Sequence, residues 1–333
     1  MNRGAQAKRL GGSLPVAALH PAVVAWTRPR RKAERWCVAF SGGADSLALL
    51  LLLWEHWPER RDRLVALHFN HRLRGRAAAG DEKFCRKACA DLGVPLRVGR
   101  WPGRHRGASE AEARTARHEF FRAEMKKLRC RVLWLAHQQD DIAESMLMRL
   151  ARGSGTGGLA APRPVQAVAG GRVHLRPLLT RKKAELIAAL RRAGARWRED
   201  ASNLGDGYFR NRIRRRVLPA WARAAERDAL AGAALARERL EEDDEALARW
   251  LRDLAPLGRD RQLDLRRLAG VPRAVARRAL HAWLLAQRPP PDLSRQGFEL
   301  LLAAVERAGA TRFSLGSRGF AVIRRGKLLF QKG

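Results

Sequence analysis

Short apolar runs alternate with helix-length amphipathic stretches along the first half of the chain. Four runs have the length and composition of buried β-strands, and a segment with apolar residues at helical spacing follows each of them. The runs start at Trp36, Leu64, Leu96 and Arg131. Because strands and helices alternate at this spacing, we predict an α/β fold with a doubly wound, mostly parallel sheet of the Rossmann-like kind.

The pattern changes near Pro219, after which helical spacing dominates. We therefore expect an α/β domain over residues 34–218 and a smaller, mainly helical C-terminal domain over residues 219–333. Three short apolar runs after residue 310 predict terminal strands. The helices predicted before them cover residues 220–254, 273–287 and 294–308.

Basic residues outnumber acidic ones by a wide margin. The chain has 67 Lys and Arg against 33 Asp and Glu, which gives a formal net charge of +34. Most of this charge must lie at the surface, because a buried cation without a partner is costly, and a basic surface favours a nucleic-acid partner. Arg and Ala are enriched together along the whole chain, so compositional bias is a second explanation for part of the surplus. Residues 1–33 are expected to be a basic N-terminal extension.

Cysteine usage and hydropathy bear on location. The four cysteines include no C-x-x-C pair, and no second cluster completes a metal site with Cys85 and Cys89. We expect reduced thiols and a cytoplasmic protein. No apolar run approaches the roughly 18 residues of a membrane-spanning helix, so no membrane partner is expected.

A glycine-containing loop follows the first predicted strand and precedes a helix. In Ser41-Gly-Gly-Ala-Asp-Ser46, the two glycines permit close backbone approach, and the backbone amides and hydroxyls can form a nest for phosphate. Asp45 makes sense in such a loop if it holds Mg²⁺ against the phosphates. The loop lacks Gly-Lys-Ser/Thr and is not a Walker A site. A serine N-cap followed by a glycine turn is the alternative.

A second polar cluster follows the fourth predicted strand. Asp141 and Glu144 are three residues apart and share one face of the predicted helix, next to Asp140. Such carboxylates can bind ammonium groups and take a proton from an attacking amine. His137, just ahead of them, is a candidate for proton transfer or nucleotide contact. Two alternatives stay open: either aspartate caps the helix, or Glu144 pairs with Arg149 or another arginine.

The loop at Ser41–Ser46 resembles the pyrophosphatase loop of the N-type ATP-pyrophosphatase (PP-loop) superfamily. Members cleave ATP to AMP and pyrophosphate and activate a carbonyl or carboxylate oxygen as an adenylate. Five further stretches, in their order and spacing, resemble the tRNA(Ile)-lysidine synthase family, strongly over residues 34–219 and more weakly beyond, so that the chain looks like a short form. These stretches are His68–Arg74, Glu110–Arg117, Leu135–Asp141, Asp200–Asn203 and Arg210–Arg214.

The resemblance implies a specific activity. Enzymes of this family adenylate the C2 carbonyl oxygen of the wobble cytidine in the CAU anticodon of one isoleucine tRNA. The ε-amine of L-lysine then displaces AMP and leaves lysidine. The chain is therefore expected to be a ligase that forms a C–N bond with ATP and Mg²⁺, with tRNA(Ile) and L-lysine as partners and a homodimer as a possible assembly.

The same resemblance, together with the chemistry of the side chains, assigns the candidate site. Gln138 stands where the family usually has a second histidine, which weakens any catalytic role for that position. His68 could also be structural, and Arg212 and Arg214 could also cap a domain interface. ATP is expected at Ser41, Gly42, Gly43, Ala44, Asp45, Ser46 and His68, with Asp45 as the Mg²⁺ ligand. Catalysis is expected from Asp45, Arg114, His137, Asp140, Asp141 and Glu144, lysine binding from Asp141 and Glu144, and tRNA binding from Arg74, Arg210, Arg212 and Arg214.

Three other functions compete with this interpretation. The tRNA 2-thiolating branch of the superfamily carries cysteine motifs that this chain lacks. Amide-forming relatives share the loop but lack the Arg210–Arg214 stretch and leave the basic surface unexplained. A non-enzymatic RNA-binding module leaves unexplained why Asp45, Asp140, Asp141 and Glu144 all follow predicted strands.

Overall fold

The computed structural model describes residues 2–28, 34–72, 76–102, 109–199 and 208–333, without the side chains of two helical residues, 76 and 110. The chain forms two compact units, Met1–Arg239 and Leu240–Gly333.

A six-stranded sheet forms the centre of the first unit. Its strand order is β3-β2-β1-β4-β6-β5, and every neighbouring pair is parallel except β5 and β6, which pair antiparallel. This confirms the doubly wound, mostly parallel sheet; the β5–β6 hairpin was not predicted. The strands are β1 (Trp36–Ala39), β2 (Leu64–Asn70), β3 (Leu96–Arg100), β4 (Val132–Trp134), β5 (Val165–Val168) and β6 (Arg172–Leu175).

Helices cover the sheet and connect its parallel strands. The first connecting helix carries the run Leu49–Leu53, which is buried on every side, as expected for a helix between the sheet and an outer helix layer. The helices of this unit are α1 (Arg3–Ser13), α2 (Pro21–Thr27), α3 (Ala44–His56), α4 (Arg76–Leu92), α5 (Glu110–Lys127), α6 (Gln139–Leu150), α7 (Thr156–Leu159), α8 (Lys183–Arg192), α9 (Phe209–Arg212) and α10 (Leu218–Ala224), with α11 (Ala229–Leu254) running past its end.

The N-terminal residues belong to the first unit, which differs from the expectation of a basic extension. Ala7 and Leu10 on α1 and Val23 on α2 have no exposed surface and join the main apolar core. A Cβ on Gly11 would come within 2.7 Å of the Glu55 side chain, so glycine lets α1 approach α3 closely. The apolar stripe of α1 is short and set among basic residues, which obscured it in the sequence.

The division between the units also differs from the predicted boundary near Pro219. Leu218, Trp221 and Ala233 pack with Ile142 of α6 in a separate small core, so α10 and the start of α11 stay with the first unit. The compact units divide at Arg239 instead.

The second unit combines helices with a small antiparallel sheet. Its strands have the order β7-β10-β9-β8, and Trp283 lies fully buried in its core. The helical character and the terminal strands agree with the sequence prediction. Besides the end of α11, the elements are α12 (Arg273–Ala286), α13 (Arg295–Arg307), β7 (Leu263–Asp264), β8 (Thr311–Ser314), β9 (Phe320–Arg324) and β10 (Lys327–Gln331).

Two chain-wide features concern thiols and membranes. All four cysteines lie within the described residues, are buried and form no disulfide. Among the described residues, no helix combines the length and the apolar character that crossing a bilayer requires.

The buried stripe of α1 generates a stability prediction. Leu10→Ala should lower the free energy of unfolding by about 3 kcal/mol, because it removes a fully buried side chain and leaves a cavity against α3. Lys8→Ala, at an exposed position of the same helix, should change it by less than about 0.5 kcal/mol. Urea denaturation measures both; equal effects of the two variants would contradict the packed position of α1.

Candidate active site

The carboxyl ends of β1, β2 and β4 open onto a cavity of about 810 Å³. Parallel strands place their following loops at one edge, which is where ligands bind in such sheets. The cavity brings together a subset of the predicted residues: Ser41, Gly43, Ala44, Asp45, Ser46, His68, Arg114, His137 and Arg214. Asp140, Asp141, Glu144, Arg210 and Arg212 are not among its lining residues, and Arg74 lies outside the described residues.

The loop between β1 and α3 is built around Gly42 and Ser46. Gly42 has a φ of +88°, and a Cβ there would lie 3.1 Å from the Cys85 sulfur, so both conformation and space favour glycine. The Ser46 hydroxyl accepts the Ser41 amide at 3.2 Å and donates to the Gly43 carbonyl at 3.0 Å.

Gly43, and no serine, is the N-cap of α3, and no side chain caps it. This argues against the N-cap alternative for Ser41. The first-turn amides and the positive end of the 13-residue helix α3 are thus available to an anion at the cavity.

Asp45 is the acidic group of this loop. Its Oδ1 is buried and accepts no hydrogen bond from the residues that the structure describes. Burial raises the pKa of the carboxyl to about 6, an effect that nearby Lys183 reduces. An orphaned carboxylate oxygen beside an anion nest fits a divalent cation. The described residues contain no group of three or more His, Cys, Asp or Glu that could hold a metal ion, so other ligands of a cation here would come from phosphate and water oxygens.

His68 lies on β2, next to the loop between β1 and α3. Its Nδ1 lies 2.9 Å from the Phe40 carbonyl, which can only accept, so Nδ1 carries the proton. Burial lowers the pKa of His68 and keeps the ring neutral. Nε2 is buried with no hydrogen-bond partner among the described residues, and it can accept a hydrogen bond from a ligand that enters the cavity.

Asp141 and Glu144 are held by two arginines of the segment 209–217. Glu144 has no exposed surface; Arg210 Nε donates to its Oε2 at 2.7 Å and Arg214 Nε to its Oε1 at 2.5 Å. Arg210 also donates to Asp141 Oδ1 at 2.5 Å. The open alternative of an arginine partner for Glu144 is therefore what the structure shows, with Arg210 and Arg214; Arg149 instead donates to backbone carbonyls.

The start of α6 explains Gln138 and Asp140. Gln138 is the N-cap, its Oε1 accepts the Asp140 amide at 2.6 Å, and its own amide donates to Asp141 Oδ2 at 3.0 Å. Asp140 Oδ2 accepts the Lys183 amide at 3.0 Å, which ties α6 to α8. Asp141 thus has a capping role whatever else it does, and Gln138 is structural here.

The cavity is lined by further cations to which the sequence analysis assigned no role. Lys183, Arg117 and Arg198 all line it. The backbone amide of Arg198 donates to the Gly42 carbonyl at 2.9 Å, and its Nε donates to Asp81 at 2.8 Å. Arg198 therefore stabilises the loop between β1 and α3. Lys183 starts the helix after β6, and without the β5–β6 hairpin its place at the edge of the sheet could not be inferred.

Arg212 lies on α9, two residues after Arg210. It is exposed, and its guanidinium lies 5.7 Å from the Phe209 ring centroid. Its predicted contact with tRNA stays a prediction.

The chain matches the model of a known protein family. The family described as the PP-loop domain matches residues 19–221, about three fifths of the chain. The chain belongs to the PP-loop family. The matched PP-loop domain includes α2, in agreement with the packing of the N-terminal helices.

Curated relatives of this PP-loop protein carry the name tRNA(Ile)-lysidine synthase. The one from Pseudomonas aeruginosa is 38% identical over 294 residues, which cover 84% of this chain and 65% of the relative. The one from Symbiobacterium thermophilum is 35% identical over 300 residues, covering 84% and 61%. The chain spans about half to two thirds of the length of such relatives.

A solved structure supports the fold. The U34-tRNA thiolase NcsA from Methanococcus maripaludis, with its [4Fe-4S] cluster, aligns with a TM-score of 0.55 at 16% identity, over 71% of this chain and 78% of that one. At this identity the likeness concerns the fold alone.

The raised pKa of Asp45 generates a prediction with a defined sign. The folded protein binds this proton more tightly than the unfolded chain, so stability falls as pH rises from about 4 through 6. Asp45→Asn should therefore raise the free energy of unfolding at pH 7 by about 3 kcal/mol, the energy that separates a pKa near 6 from one near 4. The gain should be smaller at pH 5 and vanish near pH 4.

Urea denaturation at these three pH values checks the expectation. Glu59→Gln, which removes an exposed carboxyl from the same unit, is the control. It should leave the free energy of unfolding unchanged at each of the three pH values. A pH-independent effect of Asp45→Asn would show that the carboxyl is not strained by burial.

Proposed function

We propose that this chain is a tRNA(Ile)-lysidine synthase, which ligates L-lysine to C2 of the wobble cytidine of the CAU anticodon through an adenylated tRNA. One observation carries the proposal: an anion nest with an orphaned carboxylate, at Asp45, lies near the Asp141–Glu144 cluster, whose partner Arg214 lines the cavity. The electrostatic influence of Asp141, Asp140 and Arg214 on Asp45 reflects this proximity. The names of the relatives agree with it.

The first step needs a held and neutralised triphosphate. The amides of the loop and of the first turn of α3 would bind the pyrophosphate, and Asp45 would hold Mg²⁺. When bound, Mg²⁺ neutralises charge on the departing pyrophosphate. Arg114, Arg117 and Lys183 line the same cavity, so they can stabilise negative charge that develops on phosphate oxygens during attack by the cytidine oxygen.

The second step needs a site for the lysine amine. Asp141 and Glu144 have the right charge, but Arg210 and Arg214 already occupy them. Lysine binding at these carboxylates is therefore a cation exchange, in which an ammonium replaces a guanidinium. A carboxylate so released can take the proton that the amine loses when it attacks C2.

The remaining surface charge suits the second substrate. A formal net charge of +34 favours a polyanion such as tRNA. Arg212 is exposed and is a candidate phosphate contact, whereas Arg210 and Arg214 are first of all partners of the carboxylates.

A label-transfer assay tests the proposed function. Incubation with CAU-anticodon tRNA(Ile), ATP, Mg²⁺ and labelled L-lysine should give labelled tRNA and stoichiometric pyrophosphate. Asp45→Asn should abolish pyrophosphate release while tRNA binding persists, because the change removes the proposed metal ligand and leaves the basic surface intact. No label in tRNA with the wild-type protein would refute the proposal.

A second variant separates the two steps. Asp141→Asn should raise the KM for lysine at least about tenfold, because an amide cannot attract an ammonium group as a carboxylate does. Asparagine keeps an oxygen for the Gln138 amide, so the cap of α6 survives. Pyrophosphate release without lysine, and the KM for ATP, should stay near the wild-type values. An equal loss in both steps would exclude a specific role in lysine binding.

A further inference from the structure

Arg176 is a buried guanidinium that the proposed reaction does not yet use. It follows β6, and only 6% of its surface is exposed. Within the described residues its side chain donates to the Arg163 carbonyl at 2.8 Å and to His137 Nδ1 at 3.2 Å, and both acceptors are uncharged. Burying a cation on neutral acceptors is costly, so packing alone does not account for an arginine at this position.

The sheet brings Arg176 and His137 together. β4 and β6 are parallel neighbours in which Trp134 pairs with Leu175, so Arg176 and His137 follow adjacent strand ends. The backbone of Arg176 is fixed as well, because its amide donates to the Pro164 carbonyl at 2.9 Å. The contact between the two side chains therefore rests on rigid elements.

The hydrogen bond defines the tautomer of His137. A guanidinium can only donate, so Nδ1 must present its lone pair and the ring proton must lie on Nε2. A protonated ring would put an N–H against the Arg176 N–H and lose this bond. Nε2 has no hydrogen-bond partner among the described residues, and His137 lines the cavity.

The surrounding cations also keep the imidazole of His137 uncharged. Burial and the guanidiniums of Arg176, Arg210, Arg114 and Arg117 hold the pKa of His137 well below its usual range. These cations come from three different elements: the end of β6, α9 and α5. The imidazole is thus neutral, with Nδ1 occupied and Nε2 already protonated, and it has no lone pair left for a substrate proton.

We propose that Arg176 is a positioning residue that fixes His137 as a neutral Nε2–H donor, directed at an oxygen of the nucleotide substrate. This inference rests on the proposed function for the identity of the substrate, whereas the tautomer itself does not. His137 then stabilises charge on an oxygen during adenylation. It does not accept the proton of the lysine amine, which leaves that task to Asp141, Glu144 or water.

Histidine ¹⁵N chemical shifts test the tautomer without any assay of activity. The full-length protein is labelled at its nine histidines, and His137→Gln identifies the signals of His137. We expect an unprotonated Nδ1, a protonated Nε2 and no titration between pH 5 and 8. A protonated Nδ1, or an ordinary titration near pH 6.5, would overturn the proposal even if lysine transfer is observed.

Substitution of Arg176 tests the cause. Arg176→Met should mix the tautomers and bring the titration of His137 into the observed pH range. Arg172→Met, at the first residue of β6, removes a guanidinium that donates to the Ala169 carbonyl in the preceding turn, and it should leave the His137 signals unchanged. An unchanged His137 spectrum in folded Arg176→Met would contradict the positioning role of Arg176. If that variant does not fold, the chemical shifts of the wild-type protein and the two His137 variants described next still test the proposal.

Two replacements of His137 distinguish a donor from a base. Glutamine keeps an N–H donor but has no basic nitrogen, whereas alanine keeps neither. If His137 donates, tRNA-dependent pyrophosphate release should fall about 100-fold in His137→Ala and less than about tenfold in His137→Gln. Equal losses in the two variants would indicate that the ring accepts or transfers a proton during the reaction, and would overturn its role as a hydrogen-bond donor. Absence of pyrophosphate release in the wild-type protein would instead count against the proposed function and leave the spectroscopic result standing.

Discussion

The ionised side chain of Glu144 has no exposed surface, and this imposes the strongest constraint on the first unit. A buried carboxylate is tolerated only when cations and hydrogen bonds compensate it. Arg210 and Arg214 do so with direct contacts of 2.5 to 2.9 Å. Because both arginines follow the last strand of the sheet in sequence, their pairing holds the segment 209–217 against α6.

The cavity itself carries side chains of both charges. Asp45, Asp81 and Glu199 line it together with guanidiniums, and with imidazoles that burial and neighbouring cations keep neutral. Burial, together with the guanidiniums of Arg114 and Arg117, lowers the pKa of His118 to about 4. A cavity with so many cations around one orphaned carboxylate is suited to a polyphosphate with its metal and poorly suited to a neutral ligand.

Much of the fold could be predicted because local patterns carry it. The strands at Trp36 and Leu64, and the loop between the first strand and α3, follow from apolar runs and glycines that need no distant partner. The first N-terminal helix, α1, and the β5–β6 hairpin were missed because their apolar positions are few and lie among arginines and glycines. The partners of Glu144 lie 66 and 70 residues away in sequence, and no local pattern can choose them from so many arginines.

The abundance of arginine explains why the overall charge is a poor guide to mechanism. Arg210 and Arg214 neutralise acids, Arg149 and Arg176 bond carbonyls, and Arg61 lies 3.5 Å from the centroid of the Trp54 ring. Each of these guanidiniums does a structural task that its planar, multidentate shape allows and that lysine would do less well. The cations that can meet a nucleic acid are therefore fewer than the formal surplus implies, and their positions matter more than their number.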